Sequence, residues 1–197
     1  MSLLAKNNLE ILFITVYILR KPSTIGGGST IYKQMEADIL KKNGKLMDPR
    51  KELLTDLHEF ILNEKKKGNS IFLMGDMNDN LGLENGQVRN FLQSVGMKMT
   101  FSIRHGSNEK LPPTHNRGST CLDLLGCSNN VPEMAIVQTG FAPFYFNFFT
   151  DHRGVFVDLD IDMIFNCARP DTTKQIFKRF TTRHVPKCSR YLKKWKI

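Results

Sequence analysis

The feature that most constrains this chain is a pair of short apolar runs with helical sequence between them. Ile11 to Tyr17 reads Ile-Leu-Phe-Ile-Thr-Val-Tyr. It is rich in β-branched and aromatic residues and does not alternate, the pattern of a strand covered on both faces. Ser70 to Met74, Ser-Ile-Phe-Leu-Met, is a second such run. Between them comes a loop over 20–30, with Pro22 and the triple glycine Gly26 to Gly28. That loop lacks the lysine and hydroxyl of a P-loop, so it reads as a flexible connection. A helical segment over 31–40 follows, broken at Asn43-Gly44, and a second helix opens at Asp48-Pro49. Asp is a good N-cap and Pro suits the first turn. Leu53, Leu54, Leu57, Phe60 and Ile61 recur at spacings of three and four, and Lys65-Lys66-Lys67-Gly68 places cations at the negative helix end. Strand, helix and strand in this order predict a βαβ-like unit with parallel pairing.

The second strand runs straight into Gly75-Asp76-Met77-Asn78-Asp79-Asn80. In open α/β sheets chemistry collects beyond the carboxyl ends of strands, where Asp76 and Asn78 fall. Further on, the pattern predicts a short helix over 88–95 closed by Gly96, a strand over 97–103 and a long loop over 106–118. A strand within 119–128 follows, then another over 131–139. The aromatic stretch Phe141 to Phe149 leads into Thr150-Asp151-His152-Arg153, and a half-buried strand over 155–161 ends the series. Asp123 lies inside Cys-Leu-Asp-Leu-Leu. A carboxylate in an apolar run is costly to bury unless paired, so a histidine or lysine partner is expected. His58, His105, His115 and His184 read as surface or structural groups.

Charge matters by location. The net charge is +9. Residues 1–165 hold 18 basic and 18 acidic residues, whereas 166–197 hold ten basic residues and Asp171 alone. The expected organisation is therefore a neutral domain over 1–165 and a cationic C-terminal tail or linker over 166–197. Such a tail meets polyanions. Its Lys178, Arg179 and Arg183 are candidate nucleic-acid contacts, interleaved with Phe177, Phe180, Tyr191 and Trp195. The four cysteines form no CxxC pair and no CxxC…HxxxH spacing appears, which argues against zinc and fits a reducing, intracellular setting, nuclear or cytoplasmic. No apolar run approaches the ~18 residues of a membrane-spanning helix.

Taken together, Asp76 with Asn78, Asp123, and Asp151 with His152 supply most of what phosphodiester hydrolysis needs: a proton-transfer group, an orienting group and a stabiliser of developing charge. Three segments carry a family likeness. Phe72-Leu-Met-Gly75-Asp76-Met77-Asn78, Ser119-Thr-Cys-Leu-Asp123-Leu-Leu-Gly-Cys-Ser128 and Phe149-Thr150-Asp151-His152-Arg153 resemble, in order, three signatures of the endonuclease/exonuclease/phosphatase superfamily. That superfamily includes apurinic-site and retroelement-encoded endonucleases. Phe13 to Tyr17 resembles its tyrosine-bearing strand, although Pro22 comes later than the family places its proline.

The resemblance implies a four-layer α/β sandwich of two mixed sheets flanked by helices. It implies metal-dependent phosphodiester hydrolysis with Mg2+ (or Mn2+), most of all a DNA endonuclease of retroelement type. In that reading Asp76 transfers the proton, Asn78 and Tyr17 bind the phosphate, and Asp123 orients His152. Asp151 lies near the metal, and Arg153 and Arg117 contact nucleic acid. A downstream reverse-transcriptase region in a longer polyprotein is the implied context, with no membrane partner. The family's N-terminal half, which carries an Asn and the principal Glu metal ligand, has no counterpart before Ile11. The likeness therefore covers the C-terminal three-fifths of the domain and implies an incomplete sandwich. It leads us to expect a chain that is unstable or inactive when expressed alone. The alternatives are a non-catalytic nucleic-acid-binding module and, within the superfamily, an inositol-phosphate or sphingolipid phosphoesterase.

Overall fold

The computed structural model describes residues 2–4, 10–22, 31–144 and 150–164. Strands β1 (Ser2–Leu4), β2 (Glu10–Thr15), β3 (Ser70–Asp76), β4 (Met97–Met99) and β5 (Asp123–Ser128) form one sheet in the order β1-β2-β3-β5-β4. β2 and β3 are parallel, with Ile11 opposite Ser70 and Thr15 opposite Met74. Helices α1 (Ile31–Asn43) and α2 (Pro49–Lys66) make the crossover between them, as the apolar runs predict. The remaining pairs of this sheet are antiparallel.

α2 starts where its sequence says it should. Asp48 accepts a hydrogen bond from the Arg50 N–H at 2.9 Å, and Pro49 fills the first turn. Its buried stripe, Leu54, Leu57 and Ile61, packs against Ile71 and Leu73 of β3 and against α3 (Gln87–Ser94). Burying each of these aliphatic side chains contributes about 1.5–3 kcal/mol. The other face of the sheet sends Ile11, Phe72 and Cys127 into a second cluster with Val131, Ala135, Ile136 and Ile164. That cluster lies beneath β6 (Ile136–Phe141) and β7 (Val155–Leu159), an antiparallel pair followed by the short helix α5 (Ile161–Ile164). The architecture is an α/β sandwich of two sheets flanked by helices. Its first sheet is mixed, and its second is purely antiparallel among the described residues.

Two expected elements differ. The segment over 97–103 is a strand only to Met99, after which Thr100–His105 forms helix α4. Its apolar residues cap the sheet end rather than extend it: buried Thr100 turns its hydroxyl to Leu125 O and Thr139. The segment over 131–139 begins as a 3-10 turn, Glu133–Ala135, because Pro132 cannot donate to a ladder; strand pairing starts at Ile136. Among the described residues no helix is long and apolar enough to cross a membrane. The tail residues Lys178, Arg179 and Arg183 lie outside the described residues.

Candidate active site

The site is built where β3 ends and β5 begins. The antiparallel register places Asp76 directly opposite Asp123. Two carboxylates facing across a ladder repel, and an imidazole between them resolves the conflict. His152 donates from Nδ1 to Asp123 Oδ2 at 2.8 Å, and its Nε2 lies 4.0 Å from Asp76 Oδ2. The half-buried carboxylate in the apolar strand thus has the histidine partner its setting demands. The separation of 4.0 Å is beyond a direct hydrogen bond and leaves a ligand oxygen or water room to sit between the two groups.

Asp76 is wired to its turn. Asn78 donates its N–H to Asp76 Oδ1 at 2.8 Å and its side-chain amide to Asp76 Oδ2 at 3.1 Å and to Ile18 O at 2.9 Å. Asn78 sits at φ 43°, a left-handed conformation that Asn tolerates better than most residues. Burial raises the Asp76 pKa above the ordinary carboxylate value and the Asp123 charge adds to it, against the Asn78 N–H and the two nearby imidazoles. For His152, burial works to lower the pKa. The hydrogen bond and charge of Asp123, with the charges of Asp76 and Asp151, outweigh it and hold the imidazole above its usual value. The Asp76 shift favours its protonated form and the His152 shift favours the imidazolium.

His115 was not among the expected site residues, yet the fold delivers it here. Asn116 N–H donates to Asp151 O and Arg153 N–H to Thr114 O, each at 2.8 Å, so His115 and His152 become antiparallel bridge partners. Their rings meet edge to face with centroids 5.0 Å apart. His115 Nε2 lies 3.2 Å from Asp151 Oδ2, and its Nδ1 accepts the Arg117 N–H at 3.1 Å. Fully buried Thr114 anchors this loop by accepting the Leu122 and Asp123 N–H groups. The sequence signal was present only as Thr114-His115 beside a loop; which strand the loop would meet is a long-range fact. Asp151 is exposed, and its pKa is held below the ordinary value, first by its own backbone N–H and then, against slight burial, by the two histidines.

The other expected residues divide. Tyr17 lies between the ladder bonds Val16 N–H to Met74 O and Ile18 N–H to Asp76 O, at the same sheet end as Asp76. It is exposed and lines a cavity of about 510 Å³ with Arg20, Lys21 and Tyr32. Arg117 is exposed on the His115 loop. Arg153 is half-buried beside His152. Its guanidinium donates to Ala142 O at 2.7 Å and Pro113 O at 3.4 Å and stacks over Phe144 and Phe141, so it ties loops together. Arg50, which the sequence did not flag, is buried and donates to Leu19 O, Asn78 O and Met77 O at 2.7, 3.1 and 3.3 Å.

Mg2+ prefers oxygen ligands in octahedral array. Here Asp76 Oδ1 and Oδ2 each accept one hydrogen bond from Asn78, and Asp123 Oδ2 one from His152. Among the described residues, the grouping able to converge on one ion is His115, Asp151 and His152, with one donor atom each, all within 4.8 Å of one another. That donor set does not match Mg2+.

No family model and no curated protein matches the sequence. Among solved structures, the 3′ phosphatase NExo from Neisseria, bound to a product DNA hairpin, is similar with a TM-score of 0.52 at 14% identity. The match covers 81% of this chain and 63% of that one. At this identity the likeness is one of fold, and this chain spans somewhat less than two thirds of that structure's chain.

Proposed function

We propose that this chain carries a nucleic-acid phosphoesterase site of the endonuclease/exonuclease/phosphatase type, acting on DNA as a retroelement-type endonuclease does. The observation that carries the reading is His152 suspended between Asp123 and Asp76 at facing strand ends. In this reading the phosphate occupies the gap between His152 Nε2 and Asp76. His152, anchored through Nδ1, donates from Nε2 to a phosphate oxygen and offsets the charge that develops there. Asp76 takes a proton from the attacking water as the new P–O bond forms. The bond to the leaving oxygen breaks, and that oxygen receives the proton. Asn78 fixes the Asp76 carboxylate, and Tyr17 reaches the phosphate from the neighbouring strand end. The 3′ phosphatase with the same fold acts on a phosphate carried by DNA, which favours nucleic acid over lipid or inositol phosphate as substrate. The basic segment 166–197 would hold the polyanion.

The test is nicking of supercoiled plasmid by the purified chain in Mg2+ or Mn2+. Against the sequence expectation of an inactive chain, the arrangement of His152 between Asp123 and Asp76 leads us to expect slow nicking that falls at least about 100-fold in Asp76→Ala and in His152→Ala. Equal nicking in the variants overturns the reading. Absence of nicking with intact, salt-sensitive DNA binding also overturns it, and leaves the second reading, a non-catalytic binding module resting on the cationic tail.

A further inference from the structure

We propose that His115, Asp151 and His152 form a binding site for a borderline divalent cation of the Zn2+ class, selective against Mg2+. The argument is one of donor chemistry and support. Two imidazoles and one carboxylate suit Zn2+, Co2+ or Ni2+ and are a poor set for Mg2+. The three residues come from two segments held side by side by the bridge between His115 and His152, so the site is organised by backbone rather than by chance meeting of long side chains. Their donor atoms lie within 4.8 Å of one another. Bonds of about 2.0–2.2 Å set tetrahedral ligand atoms about 3.5 Å apart. The exposed Asp151 carboxylate can close the difference by rotating, since its partners in the fold are weak: its side chain is 62% exposed.

The second observation is the outer support of His152. Its Nδ1–H is committed to Asp123 at 2.8 Å, so an ion takes Nε2 by displacing the proton that the phosphoesterase reading places there, and ion and phosphate compete for that nitrogen. A carboxylate behind a histidine ligand is the usual outer-shell arrangement and raises the ligand's basicity. His115 needs one adjustment. Its Nδ1 accepts the Arg117 N–H at 3.1 Å, so its proton rests on Nε2 in the ion-free protein. On binding, that proton moves to Nδ1 and the exposed Arg117 N–H turns to water, a small loss on a surface loop. The hydrogen bond from His115 to Asp151 is replaced by the ion they share. One or more waters complete the shell, as expected at a solvent-facing cluster.

Titration of the full chain with Zn2+ alone by calorimetry, with Co2+ absorption as a geometric readout, tests this. The expected result is one site tighter than millimolar, undisturbed by millimolar Mg2+ and retained in a Cys167→Ser/Cys188→Ser/His184→Gln variant. His115→Ala and Asp151→Asn, each judged folded by circular dichroism, should weaken it about 10- to 100-fold. Asp123→Asn should weaken it by a similar factor through His152 alone. Binding that is unchanged in His115→Ala and Asp151→Asn, or lost in the triple tail variant, overturns the site, as does the absence of binding below millimolar. None of these readouts involves catalysis, so failure of the phosphoesterase reading and failure of this site are separable.

Discussion

Gly75 sits one residue before the proton-transfer candidate, and its backbone has no room for another side chain. Its φ is 135°, and a Cβ there would meet Val16 O at 1.9 Å. Gly44 also has positive φ, 67°, but open space around it. The two separate backbone strain from collision. Gly44→Ala should cost about 1–2 kcal/mol, the left-handed penalty alone. Gly75→Ala should cost about 3 kcal/mol or more, because Val16 must leave the ladder that carries Tyr17 past Asp76. Urea midpoints of the two variants check the difference, and equal costs would refute the close approach. The same scale explains what could be read beforehand. Asp123 was legible because an acid in an apolar strand requires a partner, whatever the fold. His115 was not, because nothing local to it distinguishes a loop histidine from a site histidine; only the backbone bonds of Thr114 and Asn116 to the 151–153 segment bring it in.

At the scale of elements, α2 does two jobs through its first turn. Asp48 caps the helix and accepts the Tyr32 hydroxyl at 2.9 Å, joining α1 to α2. Burial alone would raise the Asp48 pKa, but the hydrogen bonds from Tyr32 and the Arg50 N–H outweigh it, and the folded value lies below the ordinary one. A depressed folded pKa means the stabilisation is present in full above the unfolded value, near about pH 4, and is lost as pH falls through the lower folded value. Urea midpoints measured from about pH 6 down to about pH 3 should fall less steeply for Asp48→Asn, which keeps a capping oxygen without titrating. Parallel acid limbs would refute it. Arg50, two residues on, is the clamp that gathers the Leu19, Met77 and Asn78 carbonyls. Arg50→Met should cost about 2–4 kcal/mol by leaving those carbonyls without donors. Arg50→Lys should recover part of the stability but not the geometry, since one ammonium cannot reproduce the planar fork. If the phosphoesterase reading holds, the lysine variant should fold yet lose up to about 100-fold in turnover, as expected when a turn shifts by about 1 Å. α2 was legible because cap, proline and apolar period agree. α4 was not, because Met97 to Ile103 alternates apolar and polar residues as a strand does, and the Thr100 hydroxyl bonds that go with the helix are long-range.

At the scale of the molecule, the parallel β2–β3 pair was legible from chain order alone, since two buried strands flanking helices have few other ways to pair. The two-sheet arrangement was not written in any local pattern and entered only through the family likeness. Alternate residues of β3 face opposite cores, Leu73 to the helices and Phe72 to the second cluster, and periodicity within one strand cannot say what lies on each side. The sandwich draws one end of β3 and β5 together with the His115 and His152 loops, but it does not by itself supply a polyanion-binding field, because 18 basic and 18 acidic residues cancel over 1–165. If the phosphoesterase reading holds, affinity for DNA comes chiefly from 166–197, with its ten basic residues. Each phosphate neutralised steepens the fall of log K with log salt by about 0.9 on duplex DNA. Deleting 166–197 should flatten that slope by several such increments and weaken binding at low salt far more than at high salt. His115→Ala, within the neutral domain, should leave the slope nearly unchanged. Equal slopes for the full and shortened chains would mean that the domain surface itself tracks the phosphates. The cancellation of charge over 1–165 would then be an average over a polarised surface rather than a neutral one.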